Sequence, residues 1–123
     1  MKAIIAGGRE YNLNAIDISS LESIHRDIKI TQVVSGGAKG ADTCGELWAK
    51  SQNIPVKRFP ADWNNLGKSA GYIRNEQMAQ YSQVCILFPG GKGTDHMFDL
   101  AKKYKLVMFD FRTQVVDSLW SIV

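Results

Sequence analysis

Apolar positions along this chain recur in two rhythms, and the rhythms alternate. Short, nearly continuous apolar runs fall at 2–6, 32–35, 55–59, 84–88 and 105–111, and each reads as a strand. The run Val84-Cys85-Ile86-Leu87-Phe88 has no polar position at all, the signature of a strand covered on both faces. Between these runs the spacing changes to i, i+3, i+4. Leu21, Ile24 and Ile28 mark the inward face of one helix, with Asn12 or Asn14 as its cap. Ala41, Cys44 and Trp48 mark a second, and Met97, Leu100, Ala101 and Tyr104 another. A helix over 69–81 buries Ala70, Ile73 and Tyr81. Residues 60–68 read as a longer polar connection, and Val116, Leu119, Trp120 and Val123 as a short final helix. Five strands alternating with helices predict an α/β fold, with a mostly parallel sheet sandwiched between two helical layers.

In such a sheet, ligands bind beyond the carboxyl ends of the strands, where strand order reverses. Three glycine-rich turns follow strands here: Gly7-Gly8-Arg9, Gly36-Gly37-Ala38-Lys39-Gly40 and Pro89-Gly90-Gly91-Lys92-Gly93-Thr94. Each brings backbone N–H groups to one edge and adds a cation, Arg9, Lys39 or Lys92. At the start of a helix, such N–H groups and the helix dipole suit a phosphate. Thr94 would cap the last helix or donate its hydroxyl to that anion. The alternative is that the turns only shorten connections. An anion is expected at 91–94, within reach of Arg9, Lys39 or Arg74. No G-x-G-x-x-G follows the first strand and no G-x-x-x-x-G-K-[ST] occurs, so neither a dinucleotide-dependent dehydrogenase nor a P-loop nucleoside triphosphatase fits.

Arg74 falls inside the buried arc of its helix, in the turns nearest the glycines, between Ile73 and Met78. An inward guanidinium needs a partner. It pairs with an internal carboxylate such as Asp42, or it clamps a ligand phosphate or ribose. Trp63 lies on the long connection at the same edge, where it stacks on a nucleobase or pins the loop. His96 reads as a surface residue or a functional one.

Composition narrows the classes. A chain of 123 residues is one domain's worth of sequence, and 45% hydrophobic with 22% charged is ordinary for a globular protein. A net charge of +3 without a basic stripe on any helix gives little support to nucleic-acid binding. No apolar run approaches the roughly 18 to 20 residues that cross a bilayer, and no secretory leader precedes the first strand, which favours the cytoplasm. Cys44 and Cys85 read as small core residues, and without a Cys/His cluster no metal or cofactor is expected.

The motifs taken together resemble a known family. They are residues 7–11, 36–42, Phe59-Pro60-Ala61-Asp62-Trp63, Gly67-Lys68-Ser69-Ala70-Gly71, Ile73-Arg74-Asn75 and 88–94. From about residue 2 to 110 they are similar to the YspA-like branch of the SLOG superfamily. That resemblance implies a Rossmann-like fold and a pocket for a nucleotide, cyclic nucleotide or ADP-ribose-like ligand. It assigns to the pocket Gly7, Gly8, Arg9, Gly36, Gly37, Lys39, Asp42, Trp63, Arg74, Asn75 and residues 89–94. Superfamily members include the Lonely Guy phosphoribohydrolases, which cleave the base from nucleoside monophosphates, relatives of DprA, and proposed nucleotide-signal sensors. In the phosphoribohydrolases a catalytic glutamate stands two residues after the threonine of the PGGxGT motif, partnered by an arginine. Arg74 matches the arginine, but His96 occupies the glutamate's place. A histidine does not supply a carboxylate's charge, and the adjacent Asp95 points about 100° away around the helix. The resemblance thus implies ligand binding, by a sensor or a signal-sequestering protein, while a small N-glycosidase using Asp95, His96 or Asp42 is the alternative. The apolar stripe of the tail 113–123 further suggests a homodimer.

Overall fold

The computed structural model describes residues 1–113. Five strands, β1 (Lys2–Ala6), β2 (Gln32–Ser35), β3 (Val56–Arg58), β4 (Val84–Leu87) and β5 (Val107–Asp110), form one sheet in the order β3-β2-β1-β4-β5. Every pairing is parallel, so the sheet is fully parallel rather than mostly so. β1 is its centre, with Ile4 opposite Val34 on one side and Cys85 on the other. Helices α1 (Ala15–Ile28), α2 (Ala41–Ser51), α3 (Trp63–Leu66), α4 (Ala70–Tyr81) and α5 (Lys92–Lys103) connect the strands.

Period-2 alternation sends successive strand residues to opposite faces, and the sheet uses both. Ala3, Ile5, Val33 and Ile86 pack with Leu21, Ile24 and Trp48 of α1 and α2. Ile4, Val34, Cys85 and Leu87 pack with Met78, Met97 and Leu100 of α4 and α5. Two cores explain why the strands have no polar alternation. This is a Rossmann-like three-layer sandwich, as the alternation of rhythms predicts.

Local signals place most of the boundaries. Of the two asparagines, Asn14 caps α1, in a reciprocal box with Asp17: Asp17 N donates to Asn14 Oδ1 at 2.9 Å, and Asn14 N donates to Asp17 Oδ2 at 3.1 Å. β5 starts two residues later than expected because Lys105, at φ 58°, turns the chain left-handed out of α5. The connection 60–68 is not a loop throughout. Asp62 accepts from Asn65 N at 3.3 Å and starts the single turn of α3, followed by a 3₁₀ turn over Gly67–Ser69.

The face of α4 also differs from the expected one. Its buried residues are Ala70, Asn75, Met78 and Ala79, and Ile73 is 40% exposed. At about 100° per residue the buried arc centres on Met78, so Arg74 stays inside it while Ile73 leaves it. Cys85 is fully buried but Cys44 only half-buried. The expected final helix carrying Val116, Leu119, Trp120 and Val123 lies outside the described residues. Among those described, no helix is long and apolar enough to cross a membrane.

α2 lies close against β1 because Gly45 has no side chain. A Cβ there would sit 2.7 Å from Ile5 Cγ2. Gly45→Val should therefore destabilise the fold by about 1–3 kcal/mol, seen as a lower urea midpoint; an unchanged midpoint would show that α2 can retreat freely.

Candidate functional site

The chain reverses direction between β1 and β4, and the turns after these strands diverge there. Between them lies a cleft of about 410 Å³, within the roughly 300–1,000 Å³ of small-molecule sites. One wall is Gly7, Gly8 and Arg9 after β1, with Gly36, Ala38 and Asp42 after β2. The opposite wall is Gly91, Gly93 and Thr94 at the start of α5. Trp63, Lys68 and the α4 residues Gly71, Tyr72, Arg74 and Asn75 line the remaining side, with Met78 and Met97 at the base.

Two opposite charges meet at Gly36. A Cβ on Gly36 would lie 2.6 Å from Arg74 Nη1 and 3.1 Å from Asp42 Oδ2, so any larger residue there would displace the guanidinium from its place beside the carboxylate. Arg74 Nη1 donates to Gly36 O at 2.8 Å and Nε donates to Asn75 Oδ1 at 3.0 Å. Asp42 is 6% exposed and accepts from Ala38 N at 3.3 Å. Burial raises its pKa from 3.8 to about 6, against the opposing pull of the Ala38 N–H, the Arg74 charge and the Gly7 N–H. Burial likewise lowers the pKa of Arg74, which Asp42 counteracts. The two readings of Arg74 are thus not exclusive: it interacts with Asp42 and it faces the cleft.

The glycines divide into two groups. At Gly7, Gly36 and Gly90 an added Cβ would strike neighbouring atoms, so close packing accounts for them. At Gly91 and Gly93 a Cβ would meet nothing within 4 Å. Packing does not require glycine there, at the start of a helix that no side chain caps. Thr94 does not cap α5, as its place in the sequence suggested; Gly91 holds the cap position, and Thr94 is buried at 5% exposure against Gly90.

Some expected site residues stand elsewhere. Lys39, Lys92 and Gly37 are exposed outside the cleft. Pro89 and Gly90 line a shallower depression on the far side of the turn, with Glu10 and Tyr11. Lys68 and Tyr72 also line the cleft, and their signal in the sequence is the Gly67–Gly71 motif that contains or adjoins them. Among the described residues no group of three or more His, Cys, Asp or Glu could hold a metal.

Comparison with known proteins bears on this geometry. A sequence profile of the YspA, cpYpsA-related SLOG family matches residues 1–65, just over half of the chain. The chain belongs to this SLOG family. It is 32% identical over 119 residues to the gene 61 protein of Mycobacterium phage D29, covering 89% of this chain and 95% of that one. Its fold is similar to that of DNA processing protein A (DprA) from Streptococcus pneumoniae, with a TM-score of 0.67 at 17% identity. That match covers 89% of this chain and 49% of DprA, so the chain spans about half the length of that neighbour.

In this SLOG chain the first two positions after the PGGKGT turn, Asp95 and His96, do not line the cleft, whereas Met97 does. Asp95 pairs with Arg112 at 2.8 Å on the outer side of α5. His96 packs edge-on against Tyr72, with ring centroids 4.6 Å apart, and its Nδ1 lies 3.3 Å from Asn75 Nδ2. Burial holds its pKa below the usual value. Neither lines the cleft; among the described residues, the carboxylate that does is Asp42.

The raised pKa of Asp42 has a consequence for stability. The folded protein holds the Asp42 proton more tightly than the unfolded chain does, so stability is withdrawn as pH rises through about 4 to 6. At about 1.4 kcal/mol per tenfold shift, the loss approaches 3 kcal/mol by pH 7.5. Asp42→Asn should escape this loss and be the more stable protein at pH 7.5, with the advantage gone near pH 4. Urea unfolding at the two pH values checks it; parallel behaviour of the two proteins would contradict it.

Proposed function

We propose that this protein binds a nucleotide or nucleotide-derived ligand, of the cyclic-nucleotide or ADP-ribose kind, at the carboxyl edge of its sheet. It acts as a sensor or as a protein that sequesters a signal. One observation carries the reading: Gly91 and Gly93 leave open space at an uncapped helix start, facing a cleft lined by Arg9, Lys68 and Arg74. Free N–H groups at that position favour a phosphate, and three cations strengthen the preference. Trp63 and Tyr72, each about half exposed on the cleft wall, offer flat faces for a base. Membership of the SLOG family supports the same ligand class.

A second reading rests on Asp42. As a carboxylate beside an arginine in the cleft, it favours a small N-glycosidase in which Asp42 replaces the acid missing at His96. Calorimetric titration with AMP, cyclic AMP, ADP-ribose and NAD, followed by mass analysis of the recovered ligand, separates the two. Ligand recovered intact supports binding; free base or ribose phosphate supports hydrolysis; no heat from any of the four overturns both. A single-stranded oligonucleotide belongs in the same series, because DprA is named for DNA processing.

Gly93→Ala provides a sharper test. The fold has room for the methyl group, and alanine in a helix is favoured over glycine by roughly 0.5–1 kcal/mol, so stability should hold or rise. The same methyl would obstruct a phosphate, and affinity for the AMP-class ligand should fall by about tenfold or more. Arg74→Ala should weaken the same binding by about 2 kcal/mol. If Gly93→Ala binds as the parent does, the anion is not at α5.

A further inference from the structure

The cleft is chemically uneven, and the unevenness narrows what it accepts. Resting on the nucleotide-ligand reading above, we infer that Asp42 and Arg74 form a sugar subsite that reads two neighbouring hydroxyls. The ligand is then a ribosyl compound and not a 2′-deoxyribosyl one.

The inference follows from donor and acceptor arithmetic at one place. Arg74 carries five N–H donors, and its hydrogen bonds to Gly36 O and Asn75 Oδ1 use two of them. Its Nη2 makes no hydrogen bond among the described residues. Beside it, across Gly36, stands the carboxylate of Asp42, almost wholly buried and lining the cleft. An ionised carboxylate accepts at about four positions, and the N–H groups of Ala38 and Gly7 satisfy only part of that capacity. An occupant of this spot must therefore donate to one residue and accept from its neighbour.

A phosphate only accepts, so it would leave Asp42 unmatched and would repel it. An ammonium only donates, and Arg74 would repel it. Two adjacent hydroxyls satisfy both: one donates to Asp42 and the other accepts from Arg74. The edge of a nucleobase also offers a donor beside an acceptor, but the flat surfaces lie elsewhere. Trp63 and Tyr72 are 52% and 51% exposed, and the Trp63 ring approaches α4 over Gly71, where a Cβ would be 3.3 Å from it. Tyr72 packs against His96 near the start of α5, so a base would lie against Trp63, and a ligand with its phosphate at α5 would set its sugar over Asp42 and Arg74, which line the same cleft. The buried charge of Asp42, held in place although burial opposes its ionisation, fits a residue kept for recognition.

The test titrates the wild-type protein with AMP, 2′-deoxy-AMP, inorganic phosphate and adenine. AMP should bind, and 2′-deoxy-AMP should bind about tenfold or more weakly, as expected when a hydrogen bond to a charged group is lost. In Asp42→Ala the two nucleotides should converge to within about twofold, while inorganic phosphate binds as it does to the parent. The wild-type comparison stands alone if that variant does not fold. Equal affinity for AMP and 2′-deoxy-AMP in the wild type, with phosphate still bound, would overturn the sugar subsite and leave the nucleotide reading intact. Adenine binding that is lost in Asp42→Ala would place the base at this spot and overturn it too. If neither phosphate nor AMP binds, both readings fall together.

Discussion

β1 is paired on both sides, so the sheet grows from it in two directions: first to β2 and β3, with α1 and α2 on one face, and then, after the crossover from β3 through α4, to β4 and β5 with α4 and α5 on the other. Every strand is parallel, so every strand ends at the same edge. The turns after β1, β2 and β4 must therefore crowd together, and at the reversal between β1 and β4 they must also part. Gly8 N donates to Pro89 O at 2.8 Å and Ala41 N donates to Gly8 O at 3.2 Å, which ties the three turns to one another. The cleft is what remains between tied turns whose helices depart to opposite faces. Its location follows from strand order, and its chemistry from the few side chains that reach it.

Those side chains work against the fold as well as for the site. Asp42 is buried in a place that opposes its charge, and Arg74 is partly desolvated beside it. Elsewhere the protein buries charge in a way that satisfies it fully. Glu46, 4% exposed, accepts from Ser35 Oγ at 2.6 Å and from Arg58 at 2.6 and 3.0 Å, and its pKa stays below the ordinary value despite burial. The contrast separates a structural ion pair from a recognition residue. Glu46 has its hydrogen bonds met inside the protein, whereas Asp42 and Arg74 retain unused capacity that points into a cavity.

Much of this was legible in the amino-acid sequence, for physical reasons. A parallel sheet covered on both faces forces unbroken apolar strands, so β1, β2 and β4 stand out, and a mostly parallel topology follows from their alternation with helices; that every pairing is parallel does not. Arg74 was recognisable as an inward cation, and Asp42 and Trp63 as residues of the glycine edge. What the sequence hid was orientation. Lys39 and Lys92 sit in glycine turns yet point away, because a turn's position fixes the backbone and not a long flexible side chain. Ile73 looked buried because periodicity gives the width of a helix face and leaves its centre to packing. The turn of α3 is too short to show a period, and the roles of Lys68 and Tyr72 depend on how that turn folds back over α4.

The central claim is that an anionic ligand sits on the free N–H groups at the start of α5, on the cleft side of the turn. An amide-resolved NMR titration of the isotope-labelled protein with a nucleoside monophosphate tests it most directly. The expected result is that the largest shifts fall on the amides of Lys92, Gly93 and Thr94, accompanied by Gly36 and the indole N–H of Trp63. Shifts confined to Tyr11 and Gly90, on the opposite side of the turn, or no shifts at millimolar nucleotide, would contradict it.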